Sequence, residues 1–437
     1  MTLTVIIASG AAIMMVLTVL IKPYAKIKKI KIGLYWVVCL IGAFFMLIFK
    51  RLSIEQAWQG ITADVSVNPI KILLLFLSMT LLSVYLGDAG FFDYVADRIF
   101  TKTHGGKLKL FLILYAVVSV LTVFTSNDVI ILTFTPPICI FAKKAKISPM
   151  PFLLGEFVAA NTWSMMFIIG NPTNVYLSGS FGIGFIEYFS VMFLPTIIGS
   201  LTALGVLLLL FKKDLTAPVP KDIGEDKSVY HGKIPHKVPL ILAIGHLIVC
   251  IILLSISDFL GIEMWIICVL LALSLTTFDI IYDLVVEKTP MPVVRSIKKE
   301  PFELIPFILS MFIIVLALKE CGATNFLNSL LITGNKTDGI SIGFLSALSS
   351  NLLNNIPMSV LFERIIDGKS ISALYGAVVG SNIGAFISPV GALAGIMWNK
   401  ILSNYGVKLS FAKFMLYGTI IAIPSLLTTL LTLFVVL

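Results

Sequence analysis

The stretch LTVFTSNDVIILTFTPP, residues 121–137, places a carboxylate among polar residues inside an otherwise apolar sequence. Ser126, Asn127 and Asp128 stand at its centre, and apolar residues extend to both sides over 108–142. A charged residue at the centre of a bilayer costs about 2.5–3.5 kcal/mol or more, so it is retained where an ion, a proton or a hydrogen-bond donor compensates it. The stretch therefore predicts two apolar helices that meet at a polar tip within a membrane.

The rest of the chain has the composition of an integral membrane protein. Of its 437 residues, 58% are hydrophobic and 13% are charged, and the charged share is about half of that in a soluble domain. Apolar runs recur along the whole chain, each close to the ~20 residues that a helix needs to cross the hydrocarbon core. The net charge of +9 lies in short segments between these runs. Basic residues in such positions indicate membrane orientation and argue against a nucleic-acid-binding protein.

We predict an all-α polytopic membrane protein with ten full spans and two shorter segments, each made of two apolar stretches that meet at a polar tip. The first run is read as a retained span, because its basic residues follow it, whereas those of a signal peptide precede it. The shorter segments are 108–142 and 340–366. The full spans are expected near residues 3–21, 33–49, 70–86, 152–177, 188–211, 237–257, 262–284, 303–319, 371–398 and 411–437.

The basic residues between the spans predict the orientation of the chain. Cytoplasmic loops are enriched in Lys and Arg, so the loop after the first span is expected inside and the amino terminus outside. The later loops alternate consistently only if 108–142 enters and leaves on the cytoplasmic side and 340–366 on the outer side. Both segments are therefore predicted to be re-entrant hairpins, and the carboxy terminus is also expected outside. The five lysines of the first loop are Lys22, Lys26, Lys28, Lys29 and Lys31.

A short internal repeat indicates two related halves. The triplet LSM at 77–79 recurs at 309–311, and Gly90 recurs as Gly322, in both cases 232 residues further along. Each half then contains five spans and one hairpin. Since five is odd, the second half is expected to be inverted relative to the first. Inverted repeats with broken helices near the bilayer midplane are typical of secondary transporters.

The boundaries of the two halves follow from the same count. The first repeat is expected over 1–212 and the second over 237–437. A polar linker over 213–236, which carries several prolines and charges of both signs, joins them on the cytoplasmic side.

Four interruptions of apolar sequence carry the candidate site. The tips are SND at 126–128 and NNIP at 354–357, and the breaks are GNPTN at 170–174 and the segment from GSNIG to SPVG at 380–391. Amides, hydroxyls and the free N–H groups of helix starts can bind a solute or an ion at membrane depth. The candidate binding residues are Ser126, Asn127, Asp128, Asn171, Thr173, Asn174, Asn354, Asn355, Ser381, Asn382 and Ser388. The residues expected to break helices are Gly170, Pro172, Pro357, Gly380, Gly384 and Pro389.

Asp128 is the candidate coupling residue. It is the one acid at either tip, and no Lys or Arg lies near the tips. Such a site suits a neutral polar solute, or an anion held by dipoles together with a cation. Two interpretations of Asp128 stay open, coupling to a cation or proton and capping of the second half-helix. Glu156, early in its span, is consistent either with a side chain that reaches the interface or with a functional role.

Other function classes find less support in the sequence. A channel would need a continuous polar stripe, which the spans do not show. An intramembrane enzyme would need a His-Glu metal motif or a serine–base pair, and neither stands in the spans. The five cysteines are scattered without paired spacing, so neither a disulfide framework nor a metal site is expected. No cofactor is expected, and H⁺ or Na⁺ is the expected coupling ion.

The tips and breaks resemble the ion transporter superfamily, which includes arsenite permeases, citrate and dicarboxylate carriers and sodium–proton antiporters. SND at 126–128 followed by LTFTP at 132–136 is similar to the first hairpin of the arsenite permease branch. GSNIG at 380–384, through SPVGALA at 388–394 to Trp398, is similar to the matching segment of the second half. The resemblance extends over nearly the whole chain.

The resemblance implies an elevator-type carrier. Scaffold parts are expected at 1–100 and 237–335, and hairpin and transport parts at 107–212 and 340–437. Among the implied partners are a second copy of the chain, membrane lipid and, for a true arsenite permease, a soluble ATPase.

The function implied by the resemblance is secondary active transport of a small inorganic oxyanion or metalloid, such as arsenite or antimonite, across the plasma membrane and coupled to protons. A sodium- or proton-coupled carrier of citrate or another small organic anion, and a sodium–proton antiporter, are the alternatives. Dicarboxylate carriers show Ser-Asn-Thr at both tips. This chain has Asp128 at the first tip and NNI at 354–356 at the second, which argues against a dicarboxylate.

Overall fold

The computed structural model describes residues 1–21, 24–27, 30–63, 68–102, 106–216, 237–287, 296–297 and 302–437. The described part is helical apart from one antiparallel pair of short strands, β1 (Tyr24–Ile27) and β2 (Ile30–Gly33). The sequence did not indicate these strands, because four residues are too few for a pattern of alternation. Most of the predicted linker 213–236 lies outside the described residues, as do Lys22, Lys28 and Lys29 of the first basic loop.

Eleven helices occupy the described residues of the first half. They are α1 (Thr2–Ile21), α2 (Leu34–Ile48), α3 (Ile54–Thr62), α4 (Pro69–Asp88), α5 (Phe91–Lys102), α6 (Gly106–Phe124), α7 (Asn127–Lys144), α8 (Met150–Trp163), α9 (Pro172–Ser180), α10 (Phe185–Leu210) and α11 (Lys212–Thr216).

Ten helices follow in the described residues of the second half. They are α12 (Lys237–Ser255), α13 (Ser257–Leu260), α14 (Met264–Tyr282), α15 (Leu304–Glu320), α16 (Ala323–Leu331), α17 (Thr337–Leu353), α18 (Asn355–Ile366), α19 (Ile371–Gly384), α20 (Leu393–Asn404) and α21 (Phe411–Val436).

Several of these helices have the length and composition to cross a bilayer, so the chain is a multi-pass membrane protein. Six described helices qualify by themselves: α4, α6, α10, α12, α14 and α21. The pair α15 and α16, bent by 78°, qualifies as a seventh span. Of these, α6 was expected as part of the hairpin 108–142 and not as a span of its own. Among the other predicted spans, α1 counts as a shorter apolar helix over Thr2–Thr18, α2 has 15 residues, and 152–177 and 371–398 each divide into two helices.

The order of elements in the first half recurs in the second. Apart from the short helices α3 and α13, each half begins with three longer helices and continues with a short amphipathic helix (α5, then α16). A pair of helices joined at a tip follows (α6 and α7, then α17 and α18), and each half ends with an interrupted helix and a long helix. The two long final helices pack together, since the Ser425 hydroxyl of α21 donates to the carbonyl of Gly199 in α10 at 2.9 Å. The short helices α5 and α16 were not among the predicted spans.

Glycines allow α17 and α19 to pack backbone against backbone. A Cβ atom on Gly384 would lie 2.8 Å from the Cα of Ala347, and one on Gly380 would lie 2.9 Å from the nitrogen of the same residue. A Cβ on Gly339 would lie 2.8 Å from the carbonyl oxygen of Ser372. Small residues at a spacing of four produce such close crossings between helices in membranes.

The position of Gly380 corrects one expectation from the sequence. Gly380 was expected to break its helix, but it lies within the continuous helix α19, and the interruption begins only after Gly384. The glycine serves close packing, because any side chain there would meet the backbone of α17.

The close packing predicts the effect of adding one methyl group. Gly380→Ala would overpack the contact between α17 and α19, which costs about 1–3 kcal/mol, so its melting temperature in detergent should fall clearly. Gly245→Ala in α12 is the matched control, because a Cβ there meets nothing within 4 Å. Equal thermal stability of the two variants in fluorescence-detected melting would contradict the close contact.

Candidate functional site

The first tip joins two helices that run in opposite directions. Near their starts, α6 and α8 contact each other through Phe111 and Phe152. Near their ends they approach each other again, since Phe124 contacts Phe167 just beyond α8. Hence α6 and α8 are parallel.

The second helix of the pair, α7, runs against α8. Asn127 at the start of α7 donates to Asn161 near the end of α8 at 3.2 Å. The hydroxyl of Thr135, two turns later in α7, lies 2.9 Å from a carboxyl oxygen of Glu156, which lies earlier in α8. Because α6 runs with α8 and α7 against it, the chain reverses direction at Thr125 and Ser126.

The polar residues of the first tip have different surroundings. Ser126 caps α7, since its hydroxyl accepts from the backbone nitrogen of Val129 at 3.4 Å. Asn127 is buried and also accepts from the backbone nitrogen of Asp128 at 2.9 Å. Asp128 is partly exposed, and among the described residues no donor makes a hydrogen bond to its carboxylate. The capping bond thus belongs to Ser126, and the Asp128 carboxylate is left open to a ligand.

The interruption between α8 and α9 begins at Ser164 and ends where α9 starts. Gly170 is needed there, because a Cβ would lie 2.9 Å from the Cα of Ser164. Asn171 caps α9 by accepting from the backbone nitrogen of Thr173 at 3.1 Å. Pro172, expected to break a helix, is instead the first residue of α9. At that position its fixed φ favours the helix, and its missing N–H leaves no bond unmade.

The amide of Asn382 on α19 connects the two halves of the chain. Its oxygen accepts from the hydroxyl of Ser164 and from the amide of Asn171, both at 2.9 Å. Its nitrogen donates to the amide oxygen of Asn174 at 2.7 Å. All four side chains are fully buried. One amide therefore satisfies three polar groups around the interruption of the other half.

A second bond reinforces this connection. The hydroxyls of Thr173 and Ser381 lie 3.1 Å apart, so Thr173 at the start of α9 is joined to α19 as well. The structure thus brings together five of the residues expected at the site: Asn171, Thr173, Asn174, Ser381 and Asn382. Their side chains bond mainly to one another.

The second tip lies against the interruption that follows α19. Asn354 has φ +71° and ψ 153°, a backbone conformation that is almost restricted to glycine and is therefore strained here. Its side-chain nitrogen donates to the carbonyl of Val390 at 3.2 Å. The backbone nitrogen of Asn355 donates to the carbonyl of Gly391 at 3.0 Å. Pro357, expected to break a helix, is instead the third residue of α18 and lies in its first turn.

Open hydrogen-bond acceptors remain near the second tip. The amide oxygens of Asn351 and Asn355 are buried and accept no hydrogen bond from the described residues. Ser388 accepts from the backbone nitrogen of Val390 at 3.3 Å, and Pro389 stands between them in the interruption. Buried amide oxygens without partners are costly and indicate a place where a ligand or water donates. Among the described residues, no hydrogen bond joins the two tips to each other directly.

The sequence missed three residues of this site. Asn161 and Ser164 accompany the first interruption, and Asn351 lies three residues before the second tip, where its amide donates to the carbonyl of Gly384 at 2.9 Å. Each is a polar residue inside a run that was read as an apolar span. A polar residue within an apolar segment is the signal that could have identified these three residues.

Glu156 is a further acid of this region. It is 0% exposed, and the Thr135 hydroxyl lies 2.9 and 3.1 Å from its two carboxylate oxygens. The indole of Trp398 on α20 lies beside it. A side chain that reaches the membrane interface is therefore excluded for Glu156.

A cavity of about 750 Å³ reaches the second interruption. It lies between α20 and the segment 406–411. Pro389, Val390, Lys400 and Lys408 are among the residues that line it.

Comparisons with known proteins agree on the class of protein. The family model described as citrate transporter matches residues 15–368. Arsenical pump membrane proteins of Yersinia enterocolitica and Escherichia coli K12 are 26% and 27% identical over 371 residues, which cover 81% of this chain and 84% of each relative. A putative arsenical pump membrane protein of Bacillus subtilis is 25% identical over 383 residues, which cover 82% of this chain and 85% of the relative.

A solved structure resembles the whole chain. The YdaH transporter of Alcanivorax borkumensis matches with a TM-score of 0.52 at 12% identity, over 99% of this chain and 97% of that one. At this identity the match shows likeness of fold alone. The family model spans well over half of the chain, and full-length relatives of the arsenical pump type accompany it. The chain therefore belongs to the citrate transporter family of membrane transporters.

Proposed function

We propose that this chain is a secondary active transporter that moves a small inorganic oxyanion or metalloid, such as arsenite or antimonite, across the plasma membrane in exchange for protons. The observation that carries the proposal is the Asn382 amide, which joins the helix interruption of the first half to α19 of the second half in one buried polar site. The names of the relatives support the choice of solute, since they are described as arsenical pump membrane proteins over 81% of this chain.

The chemistry of the site favours a small solute with hydroxyl groups. Residues 125–128, 164–174, 351–357 and 385–392 form the tips and interruptions, and no Lys, Arg or His stands in them. Arsenous acid is uncharged in neutral water and presents hydroxyl groups that donate and accept. The open amide oxygens of Asn351 and Asn355 are acceptors for such groups.

The repeated order of elements supports two inverted repeats of five spans and one re-entrant hairpin each. Each helix pair has its polar tip beside an interruption or its helix. The interruption between α8 and α9 bonds to α19, and the interruption after α19 bonds to the second tip. In an elevator mechanism, the parts 107–212 and 340–437 would move as one unit against the scaffold parts 1–100 and 237–335. Their shared polar bonds at Asn382 are consistent with such a unit.

Asp128 is the proposed coupling residue. A partly exposed carboxylate without a bonded donor can take up a proton, and it then no longer carries a charge through the bilayer. Loading and release of that proton on opposite faces would tie solute movement to the proton gradient.

A small organic anion of the citrate type is the second candidate. The description of the family model favours it, and so does the cavity lined by Lys400 and Lys408, which would attract an anion towards the second tip. The absence of a basic residue at the tips themselves disfavours it, because a tricarboxylate would bring several charges into the site.

Transport assays test the function and the role of Asn382 together. In proteoliposomes with an imposed pH gradient, we expect arsenite to move and citrate not to move. Asn382→Ala leaves the buried amide nitrogen of Asn171 and the buried amide oxygen of Asn174 without a partner, each at about 1–3 kcal/mol, so arsenite flux should fall by about tenfold or more. Asn335→Ala, at an exposed position, is the control and should transport normally. Citrate flux without arsenite flux would favour the second candidate.

The coupling role of Asp128 is tested by removing its charge and keeping its shape. Asp128→Asn should fold and bind arsenite but lose the dependence of transport on the pH gradient, because an amide cannot exchange a proton. Asp214→Asn, at an exposed acid, is the control. If the flux of the Asp128 variant follows the pH gradient as in the wild type, Asp128 contributes only its charge at the start of α7.

The elevator is tested by a cross-link between its two units. A Cβ on Gly179 of α9 would lie 3.9 Å from Cγ1 of Ile72 in α4, so cysteines at these positions can form a disulfide, and the bond should block transport until it is reduced. The matched control joins two scaffold helices, since a Cβ on Gly60 would lie 3.9 Å from Cγ of Leu316. Both pairs are placed in a chain without its five native cysteines. Undiminished transport after complete 72–179 cross-linking would rule out this division into moving parts.

A further inference from the structure

Glu156 is enclosed on all sides by elements of the proposed transport unit. It lies in α8 with 0% of its surface exposed. The next residue, Phe157, contacts the ring of Trp398 at 5.0 Å and the ring of Phe414 at 5.7 Å. On the other side, Phe111 of α6 faces Gly155. Helices of both halves therefore close around one carboxyl group.

The hydrogen bonds of Thr135 indicate the protonation state of Glu156. The Thr135 hydroxyl lies 2.6 Å from the carbonyl oxygen of Ile131 and 2.9 and 3.1 Å from the two oxygens of Glu156. A hydroxyl has one proton to donate. When it donates to Ile131, the shorter contact, the bond to Glu156 requires that the carboxyl group carries the proton. A neutral Glu156 satisfies the whole arrangement.

No cation compensates a charge at this position. Among the described residues, the groups that interact with the carboxyl group are the Thr135 hydroxyl and the Trp398 indole. In the described part of the chain, the one titratable group beside it is the Cys139 thiol on α7, which has no positively charged form and cannot compensate a carboxylate. A buried carboxylate without a paired cation is strongly unfavourable, so the group takes up a proton instead.

The helix opposite Glu156 is interrupted in its hydrogen bonding. Pro136 and Pro137 follow Thr135 directly inside α7. Because proline has no backbone N–H, the carbonyls of Leu132 and Thr133 lack their usual helical donors. Free carbonyl groups one turn from the acid can hold water when this side of the unit is open. The surroundings thus offer a route for a proton as well as a place to keep it.

We propose that Glu156 is a second proton-binding site of the transport unit, separate from Asp128. The inference rests on the proposed function. Thr135 lies seven residues beyond Asp128 on α7, a rise of roughly 10 Å, so the two acids are distinct sites. Glu156 holds its proton in the enclosed state described here and releases it when movement of the unit exposes α7 and α8 to water. Each transport cycle then moves one proton at Glu156 besides the one at Asp128.

The number of protons per solute tests this proposal. In proteoliposomes, the pH gradient that balances a given arsenite gradient gives the proton-to-arsenite ratio. Glu156→Gln, which mimics the neutral acid, should fold, transport arsenite and lower the ratio by one proton. Glu187→Gln, at an exposed acid on α10, should leave the ratio unchanged. A wild-type ratio retained in Glu156→Gln would overturn the inference but not the proposed function, whereas wild-type flux that ignores the pH gradient would overturn both.

Infrared spectroscopy gives a readout that does not require transport. The wild type at neutral pH should show the C=O stretching band of a protonated carboxyl group that is missing in Glu156→Gln, and the band should disappear at alkaline pH. Absence of this band at neutral pH would contradict a protonated Glu156, and a band that persists at every pH would contradict proton release. If Glu156→Gln does not fold, Thr135→Val serves instead. Loss of the hydroxyl removes a donor to the ionised acid, so the band should then disappear at a higher pH, and an unchanged midpoint would count against the proposal.

Discussion

The fold depends on one constraint, namely that backbone and side-chain polar groups at membrane depth must find partners within the protein. Interrupting α8 and α19 frees such groups where water is excluded. The Asn382 amide resolves most of this demand, since it accepts from Ser164 and Asn171 and donates to Asn174. Because these partners come from the second half of the chain, the first interruption is not fully satisfied within its own half, whereas the second interruption bonds to the tip of its own half. The halves are therefore held in one relative position by the same groups that form the site.

The close approach of α17 and α19 has the same origin. The second tip can reach the interruption after α19 only if these helices lie nearly in backbone contact, and Gly380 and Gly384 make that possible. The tip then uses backbone groups of Val390 and Gly391 as partners. Packing by small residues thus sets the distance between α17 and α19, and the hydrogen bonds to Val390 and Gly391 set the position of the second tip along the interruption. The open oxygens of Asn351 and Asn355 are what remains available after this register is fixed.

Much of this arrangement could be predicted from the sequence, for physical reasons that can be named. Long apolar runs define membrane helices by length alone, and polar residues within such runs are costly enough to mark a site, as at Asn127 and Asn382. The hydrogen-bond partners of these polar residues could not be predicted, because they depend on which helices are neighbours in the fold. Nothing in the sequence therefore indicated that Asn382 would bond three residues of the first half, or that Pro172 and Pro357 would lie in the first turns of helices and not break them. Gly380 was misread for a related reason, since a glycine that bends a helix and one that admits a neighbour look alike in one dimension.

Asp128 and Glu156 illustrate how burial and hydrogen bonding could divide the tasks of the proposed carrier between two acids. Asp128 is partly exposed at a tip and has no bonded donor among the described residues, so its charge is available to an ion or a solute. Glu156 is enclosed, bonded to Thr135 and out of reach of solute in this arrangement of helices. The protonation of an open acid changes with the ion or solute that enters the site. The protonation of an enclosed acid changes only when movement of the helices exposes it to water. A carrier has to bind its solute and also to move the binding site from one face of the membrane to the other, so it needs both responses. Asp128 lies on α7, and Glu156 contacts Thr135 of the same helix about two turns further along.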